Sequence, residues 1–538
     1  MSLDHEILGR LRGSESKDGK TIQYRGIKYA DIPGRWKEPV MLSQRLNPQG
    51  SEYDATKYGP SCPQHPGGFA FDLSLVGNVT LALESNEQSE FECLNLVVTV
   101  PAGTKKGDKL PVFVWVHGGG LFYGANSWPQ YDTAPFVRTS VNAGKPVISV
   151  SINYRFGIFG FLASDELKIP GNIGLRDIAC AFKWIKNHIA GFGGDPNRLT
   201  AAGESAGAIL ISYLLVADEK DLFQQAILMS GDSSLRRPRD MRWQNSQYEH
   251  NVHFLGLGRA SLDNRKKVFF GMSAEELIKN LPMAQHWIAT VDGNYIKEDI
   301  TLGALADPSN AMGKPGWCKQ IVVGDTADDG TILKGRIMDN PQIMARLKNA
   351  LAEIFTPAES KRLLEAYSLT GILNPDQQFK GLLNLGSDLR FYFPTLQEEK
   401  GWREKPRGKL YRFHFHQKNP LEGTFKGLAS HELDVTYLLQ NLPHEFFGED
   451  QRLGREMAEA WIKFTYSDGW GNEVMVIGPN EKISFESPEA YDEKYRKGRG
   501  KLLREIGGNC GEKVLKLGEM LQGVFGERMQ EVFGQRKL

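Results

Sequence analysis

The chain of 538 residues has only five cysteines, at 62, 93, 180, 318 and 510, and no two of them stand in C-x-x-C spacing. That is too few for a disulfide scaffold, and the spacing argues against a structural zinc site. An excess of charge is also missing. The 65 basic and 65 acidic side chains cancel, and the pI lies near 7.2. A general partner such as nucleic acid or an anionic membrane surface normally demands a basic surplus, so neither is expected. No apolar run approaches the ~18 residues that cross a bilayer. The opening segment Met1-Ser2-Leu3-Asp4-His5-Glu6 lacks a basic stretch followed by an apolar one, which predicts an intracellular, cytoplasmic home. Repeats, low-complexity tracts and Pro/Ser-rich linkers are absent too. The length would allow several domains, but the uninterrupted pattern predicts one unit over 1–538.

What the chain does have is 58 glycines and 41% hydrophobic residues. Short apolar, β-branched runs at 111–116, 146–152, 198–202, 226–229, 320–323 and 409–413 predict strands. Their continuous rather than alternating hydrophobicity suggests burial on both faces, as in a parallel or mixed sheet. Between 175 and 190, Ile178, Ala181, Phe182, Ile185 and Ile189 recur at helical spacing, with Asp177 placed to favour the helix N-terminus. The βαβ rhythm predicts an α/β fold: a large, mostly parallel sheet with helices on both faces. Residues 236–315 are less regular and read as inserted helices over the C-terminal edge of the sheet, where α/β proteins bind ligands. The last forty residues read as terminal helix.

Two motifs follow predicted strands. Gly203-Glu204-Ser205-Ala206-Gly207 comes directly after 198–202. In G-x-S-x-G a sharp strand-to-helix turn holds the Ser hydroxyl clear of the sheet, and the glycines let neighbouring backbone close in. Alone, the motif is also compatible with a glycine-rich turn carrying an ordinary Ser. His117-Gly118-Gly119-Gly120 follows 111–116. Such a loop can aim N–H groups at a developing oxyanion. It lacks the Lys-Ser/Thr of a phosphate-binding loop, since Leu121-Phe122 comes next.

The segment from Phe192-Gly193-Gly194-Asp195-Pro196-Asn197-Arg198 through Gly207 resembles the signature of the type-B carboxylesterase/lipase family, as does Glu92-Cys93-Leu94-Asn95-Leu96. Tyr24 to Ala30, Asn153-Tyr154-Arg155 and Gly171-Asn172 also match, so the resemblance runs from about residue 8 to about 470. It implies the α/β-hydrolase fold and a triad in the order Ser, acid, His. Ser205 takes the nucleophile position. The acid lies in Gly324-Asp325-Thr326-Ala327-Asp328-Asp329-Gly330. Asp329 is the residue carried over, with the adjacent Asp328 as a competitor and Asp325 as a loop-stabilising residue. The base is His431, within Ser430-His431-Glu432-Leu433-Asp434. By the same resemblance the oxyanion donors are the N–H groups of Gly119, Gly120 and Ala206. Glu204, Ser230 and Asp434 support the histidine, His117 supports the glycine loop, and Cys62 and Cys93 form a disulfide. No cofactor or metal is implied. Of the other histidines, His414 and His416 alternate along a predicted strand and read as structural.

Several positions depart from the family pattern. The residue after His431, usually small, is Glu432, and no second cysteine pair is recognisable. Cys180 reads as a buried thiol on a helix. No Trp occurs between 37 and 114, so the aromatic needed for choline is missing and acetylcholine is not expected. The apolar stretch 67–76 reads either as a lid or as simple packing. Arg236, Arg237, Arg239 and Arg242 read as a solvated charged face, with preference for an acidic substrate as the alternative. Asn78-Val79-Thr80 is a glycosylation sequon, relevant only to a secreted chain, and Arg536-Lys537-Leu538 resembles a peroxisomal address. The expected function is a serine carboxylesterase acting on small to medium, largely apolar esters, the small-molecule partner. A lipase for long acyl chains and a non-catalytic binding relative are the alternatives, and the oligomeric state is open.

Overall fold

The computed structural model describes residues 1–47, 50–403, 408–508 and 510–523. Thirteen strands form one sheet: β1 (Ser2–His5), β2 (Gly9–Glu15), β3 (Thr21–Lys28), β4 (Tyr53–Ala55), β5 (Asn95–Pro101), β6 (Leu110–Val116), β7 (Ile148–Ile152), β8 (Gly194–Glu204), β9 (Gln225–Met229), β10 (Gln320–Thr326), β11 (Lys409–Phe415), β12 (Val474–Ile477) and β13 (Ile483–Glu486). The spatial order is β1-β2-β3-β5-β7-β6-β8-β9-β10-β11-β12-β13, with β4 beside β2. From β7 to β12 every neighbour is parallel. The antiparallel pairs lie towards the two edges. All six strands predicted from apolar runs are present.

Each central strand is apolar on both sides because each side faces its own core. Val112, Val114 and Val116 point into one cluster with Leu175, Ile178 and Phe182 of α2 and Ile209 of α3. Phe113 and Trp115 point into the other, with Met457 and Trp461. The period-two alternation is therefore large against small, not apolar against polar. α2 is Ile173–His188 and α3 is Ala206–Val216. Emptying a site such as Trp115, 1% exposed, would cost about 3–5 kcal/mol.

The register brings the functional segments to one edge. Val116 stands opposite Ile152, Gly203 opposite Val116, Glu204 opposite Met229, and Met229 opposite Gly324. The chain leaves these strands at 117, 205, 230 and 327, at neighbouring points along the C-terminal edge. A single bridge pairs Asp328 with Ser430 and draws the histidine loop to the same edge.

Three local expectations are corrected. Asp177 is not in the first turn of α2; it forms a buried ion pair with Arg155 (Nη2–Oδ1 2.6 Å, Nε–Oδ2 2.8 Å). The described part of the C-terminal segment is two helices, Arg499–Gly507 and Glu512–Gln522, because Gly508 and Gly511 both take positive φ between them. Residues 536–538 lie outside the described residues. Asp325 sits at the end of β10 rather than stabilising a loop, where it pairs with Arg496 (3.0 Å) and contacts His414. Among the described residues, no helix is long and apolar enough to cross a membrane.

Candidate active site

Ser205 stands between the end of β8 and the start of α3, with φ 50° and ψ −119°. A non-glycine residue at positive φ is held there only when its surroundings over-determine it. Here the Ser205 N–H donates to the Met229 carbonyl (2.9 Å), and α3 begins at the next residue. A Cβ at Gly207 would collide with the Val116 carbonyl, so only glycine lets α3 turn back this tightly against β6. The 117–120 loop leaves β6 alongside, with Gly119 and Gly120 at φ 98° and 59°. His117 is buried, its ring stacked on Tyr154 at 4.5 Å, and Tyr154 Oη donates to its carbonyl (2.8 Å). Burial lowers the His117 imidazole to about 4, which keeps it neutral and structural.

Of the two candidate acids, the structure brings one to the histidine. Asp329 Oδ1 lies 2.7 Å from His431 Nδ1. Its Oδ2 accepts from Ser230 Oγ (2.9 Å) and from the Thr326 N–H (2.9 Å). Asp328 turns elsewhere, to Lys380 Nζ (3.0 Å) and the Ala429 N–H (3.0 Å). The His431 backbone N–H donates to Thr331 Oγ1 (3.0 Å), fixing the histidine loop to the turn that carries the acid. Nε2 of His431 lies 3.1 Å from Glu204 Oε1. His414 on β11 and His416 just beyond its end both lie away from this group: His414 against Asp325, His416 2.9 Å from Tyr491 Oη.

Around His431 lies a set of buried carboxyls. Burial, then the neighbouring Glu432 and Asp434, drives Glu204 well above the ordinary carboxylate range. Asp434 is raised likewise, by burial and then Asp329. Glu432 is raised by burial and then Asp72. Asp72 belongs to a short helix, α1 (Gly68–Val76), which covers the glycine loop's flank: Phe69 packs on Trp128 and Phe71 on Tyr123. Gln130 Nε2 donates to Asp72 Oδ2 (2.7 Å). Tyr131 Oη lies 2.9 Å from Glu432 Oε1 and 3.0 Å from Asp72 Oδ2. One phenolic proton cannot serve two carboxylates, so one of the pair must itself be the acid. Asp72 rises only to about 6, so Glu432 holds the proton and Asp72 is the acceptor at neutral pH. Asp72 and Tyr131 carry no motif; the oversized Glu432 after the histidine is the sole trace of this network in the sequence.

Two further readings are revised. Cys62 and Cys93 are not joined but stand as neighbouring buried thiols, filling the core as small apolar side chains do. The arginine segment is not a solvated face. Arg237 pairs with Glu512 (3.1 Å) and Arg239 with Glu519 (2.9 Å), both on the last described helix, and Arg236 Nη1 donates to the Trp287 carbonyl (2.9 Å). Only Arg242 is exposed.

A family model, the carboxylesterase family, matches residues 3–497 of this chain. The chain belongs to the carboxylesterase family. This carboxylesterase is similar to lipase 3 of Yarrowia lipolytica, with 28% identity over 84% of the chain and 86% of the relative. It is also similar to para-nitrobenzyl esterase of Bacillus subtilis, with 28% identity over 88% and 92%. Lipase 2 of Diutina rugosa is 32% identical over 75% and 78%. A solved PNB esterase structure superposes with a TM-score of 0.68 at 25% identity, covering 92% of this chain and 99% of that one. The fold is thus that of an α/β-hydrolase, and the carboxylesterase is a carboxylic ester hydrolase.

Proposed function

We propose that Ser205, His431 and Asp329 hydrolyse small to medium, largely apolar esters through an acyl-enzyme. The contact between His431 Nδ1 and Asp329 carries this reading, because it fixes the imidazole with Nε2 turned to the elbow side. Ser205 is a weak nucleophile until Nε2 removes its proton, and Asp329 then stabilises the imidazolium. The serine oxygen adds to the ester carbonyl, and the N–H groups of Gly119, Gly120 and Ala206 receive the oxyanion, each worth about 3–4 kcal/mol. His431 returns the proton to the departing alcohol. Water then cleaves the acyl-serine by the same route, releasing the carboxylic acid. Glu204, Ser230 and Asp434 hold the histidine and the acid in place. The single sheet running from Ser2 to Glu486 supports one hydrolase unit along the whole chain.

The decisive test is labelling by a fluorophosphonate together with turnover of p-nitrophenyl esters. Stoichiometric adduct on Ser205, and loss of both adduct and turnover in Ser205→Ala, are expected. Turnover that survives Ser205→Ala would defeat the proposal. The lipase relatives and the α1 cover over Tyr123 and Trp128 favour one second reading, activity on long acyl chains. A rate that climbs with chain length and jumps at an oil–water interface would select it.

A further inference from the structure

Three arginines beside the proposed active site have no carboxylate within salt-bridge distance among the described residues, although Glu519 and Asp232 act on Arg390 from further off. Arg390, 2% exposed, lies on a single π-turn, Asp388–Tyr392, between the helices Pro375–Ser387 and Phe393–Arg403. Its Nη2 donates to the Leu235 carbonyl, while Nε and Nη1 are buried without a partner. Arg236 reaches only the Trp287 carbonyl. Arg336, like Arg236, is only half-buried, and it has no carboxylate in salt-bridge range among the described residues. Arg236 feels both other guanidinium groups, and His286 feels all three.

The acidic groups nearby do not balance them. Glu512 and Glu519 are engaged by Arg237 and Arg239. Asp232 accepts from the Ser234 hydroxyl and from the N–H groups of Ser234 and Leu235, neutral donors that leave its pull on Arg390 in place, but it forms no salt bridge with Arg236 or Arg336. Glu398, which lines a cavity together with Arg390, Asp232 and Phe391, is raised to about 8 by burial and then Asp232, with Lys314 acting in the opposite sense. Arg236 and Arg336 are left without an ion pair among the described residues. Burial and the neighbouring arginines lower Arg236 only to about 10, so deprotonation offers no relief at neutral pH. Arg390 is the buried member, and a buried cation without an ion pair is among the costliest arrangements in a protein, whereas Arg236 and Arg336 are half-open to solvent and so within reach of an anion from outside.

The cluster is bound to the proposed catalytic elements. Gly231, at the head of the arginine segment, packs so closely on the Ser205 carbonyl that a Cβ there would collide with it. Phe391, next to Arg390, has its ring 5.5 Å from that of His431. Arg336 lies five residues beyond Thr331, the acceptor of the His431 N–H. Arg236 acts electrostatically on Tyr123, which follows the glycine loop.

We propose that this carboxylesterase takes esters bearing a second, ionised carboxylate, and that Arg236, Arg336 and Arg390 receive that group. This rests on the esterase reading above and narrows it: the scissile ester needs an apolar bed, and a carboxylate elsewhere on the same molecule supplies the missing anion. Guanidinium suits the task because its planar fork meets a carboxylate with two parallel hydrogen bonds.

The test compares near-isosteric substrates on the whole protein. One pair is p-nitrophenyl hexanoate and the p-nitrophenyl monoester of adipic acid, which carries the carboxylate on the acyl side. The other is 3-acetoxytoluene and 3-acetoxybenzoate, which carries it on the alcohol side. In at least one pair kcat/KM is expected to favour the carboxylated member by about tenfold or more, the scale of a charged hydrogen bond. Arg236→Gln and Arg336→Gln should each collapse that ratio, with KM for the anionic ester carrying most of the change, and Arg336→Lys should restore part of it. Preference for the neutral ester in both pairs would overturn the proposal, and so would a ratio that survives both Gln variants. Fluorophosphonate labelling of Ser205 keeps the two readings apart. Labelled enzyme that turns over neutral esters without anion preference defeats only the carboxylate site, whereas failure to label defeats the esterase reading itself.

Discussion

The two flanks of His431 hold buried charge in opposite ways. On one side Glu204, Glu432, Asp434 and Asp72 crowd together, and burial lifts all four above the ordinary carboxylate range. Acids can answer crowding by keeping their protons, and Glu432, Tyr131 and Asp72 then form a satisfied hydrogen-bonded line. On the other side Arg236, Arg336 and Arg390 have no such remedy, since guanidinium stays charged at any physiological pH. The acidic flank can neutralise itself, although Glu204 Oε2 and Asp434 Oδ2 stay buried without a hydrogen-bond partner. The basic flank cannot.

Three comparisons sharpen that contrast. The largest effect belongs to the one acid on the first flank that touches His431 Nδ1. Asp329→Asn should lower kcat by about 10⁴-fold, as loss of the tautomer-fixing carboxylate does elsewhere, while Asp328→Asn, bound to Lys380 and Ala429, should cost tenfold at most. Single-turnover rates with a p-nitrophenyl ester decide it, and equal mild losses would remove Asp329 from the triad. Next comes Asp72. Its folded-state value, about 6, lies above the ordinary 3.8, so the unfolded chain releases this proton first as pH rises. Native stability should therefore fall between about pH 4 and pH 6 and stay lower above, by up to about 3 kcal/mol. Asp72→Asn should abolish that slope in urea unfolding measured across the range; an unchanged slope would show that Asp72 is not the acceptor of the line. The smallest effect tests the second flank. Arg390→Met removes a buried charge without an ion pair and should leave stability unchanged or raise it by about 1 kcal/mol. Glu432→Met, on the flank that has already neutralised itself, should destabilise by about 1–3 kcal/mol through the lost Tyr131 bond. Destabilisation by both would dissolve the distinction.

Much of the frame was legible in the chain, for physical reasons. Strands buried on two faces must be apolar throughout, so 111–116 and 226–229 announce themselves. The elbow at Ser205 needs glycine where α3 passes the Val116 carbonyl, and that need is local. Only the family resemblance favoured Asp329 over Asp328, because one step along a turn reverses which side chain meets His431. The arginine segment was misread because its partners Glu512 and Glu519 lie about 280 residues away on the last described helix. Asp72 and Tyr131 escaped for the same reason: their relation to Glu432 exists only after β6, α1 and the histidine loop have met. Sequence patterns report the burial a residue needs, not which distant charge will share it.

Gly231 links the two flanks mechanically. Its α-carbon rests against the Ser205 carbonyl with no room for a methyl group, and Arg236 follows five residues beyond it. The nucleophile and the first arginine of the cluster are thus tied through one tight backbone contact. Any tolerance needed to seat a bulkier or differently charged substrate among the arginines has to come from elsewhere in the rim, because displacement at 231 is transmitted directly to the serine.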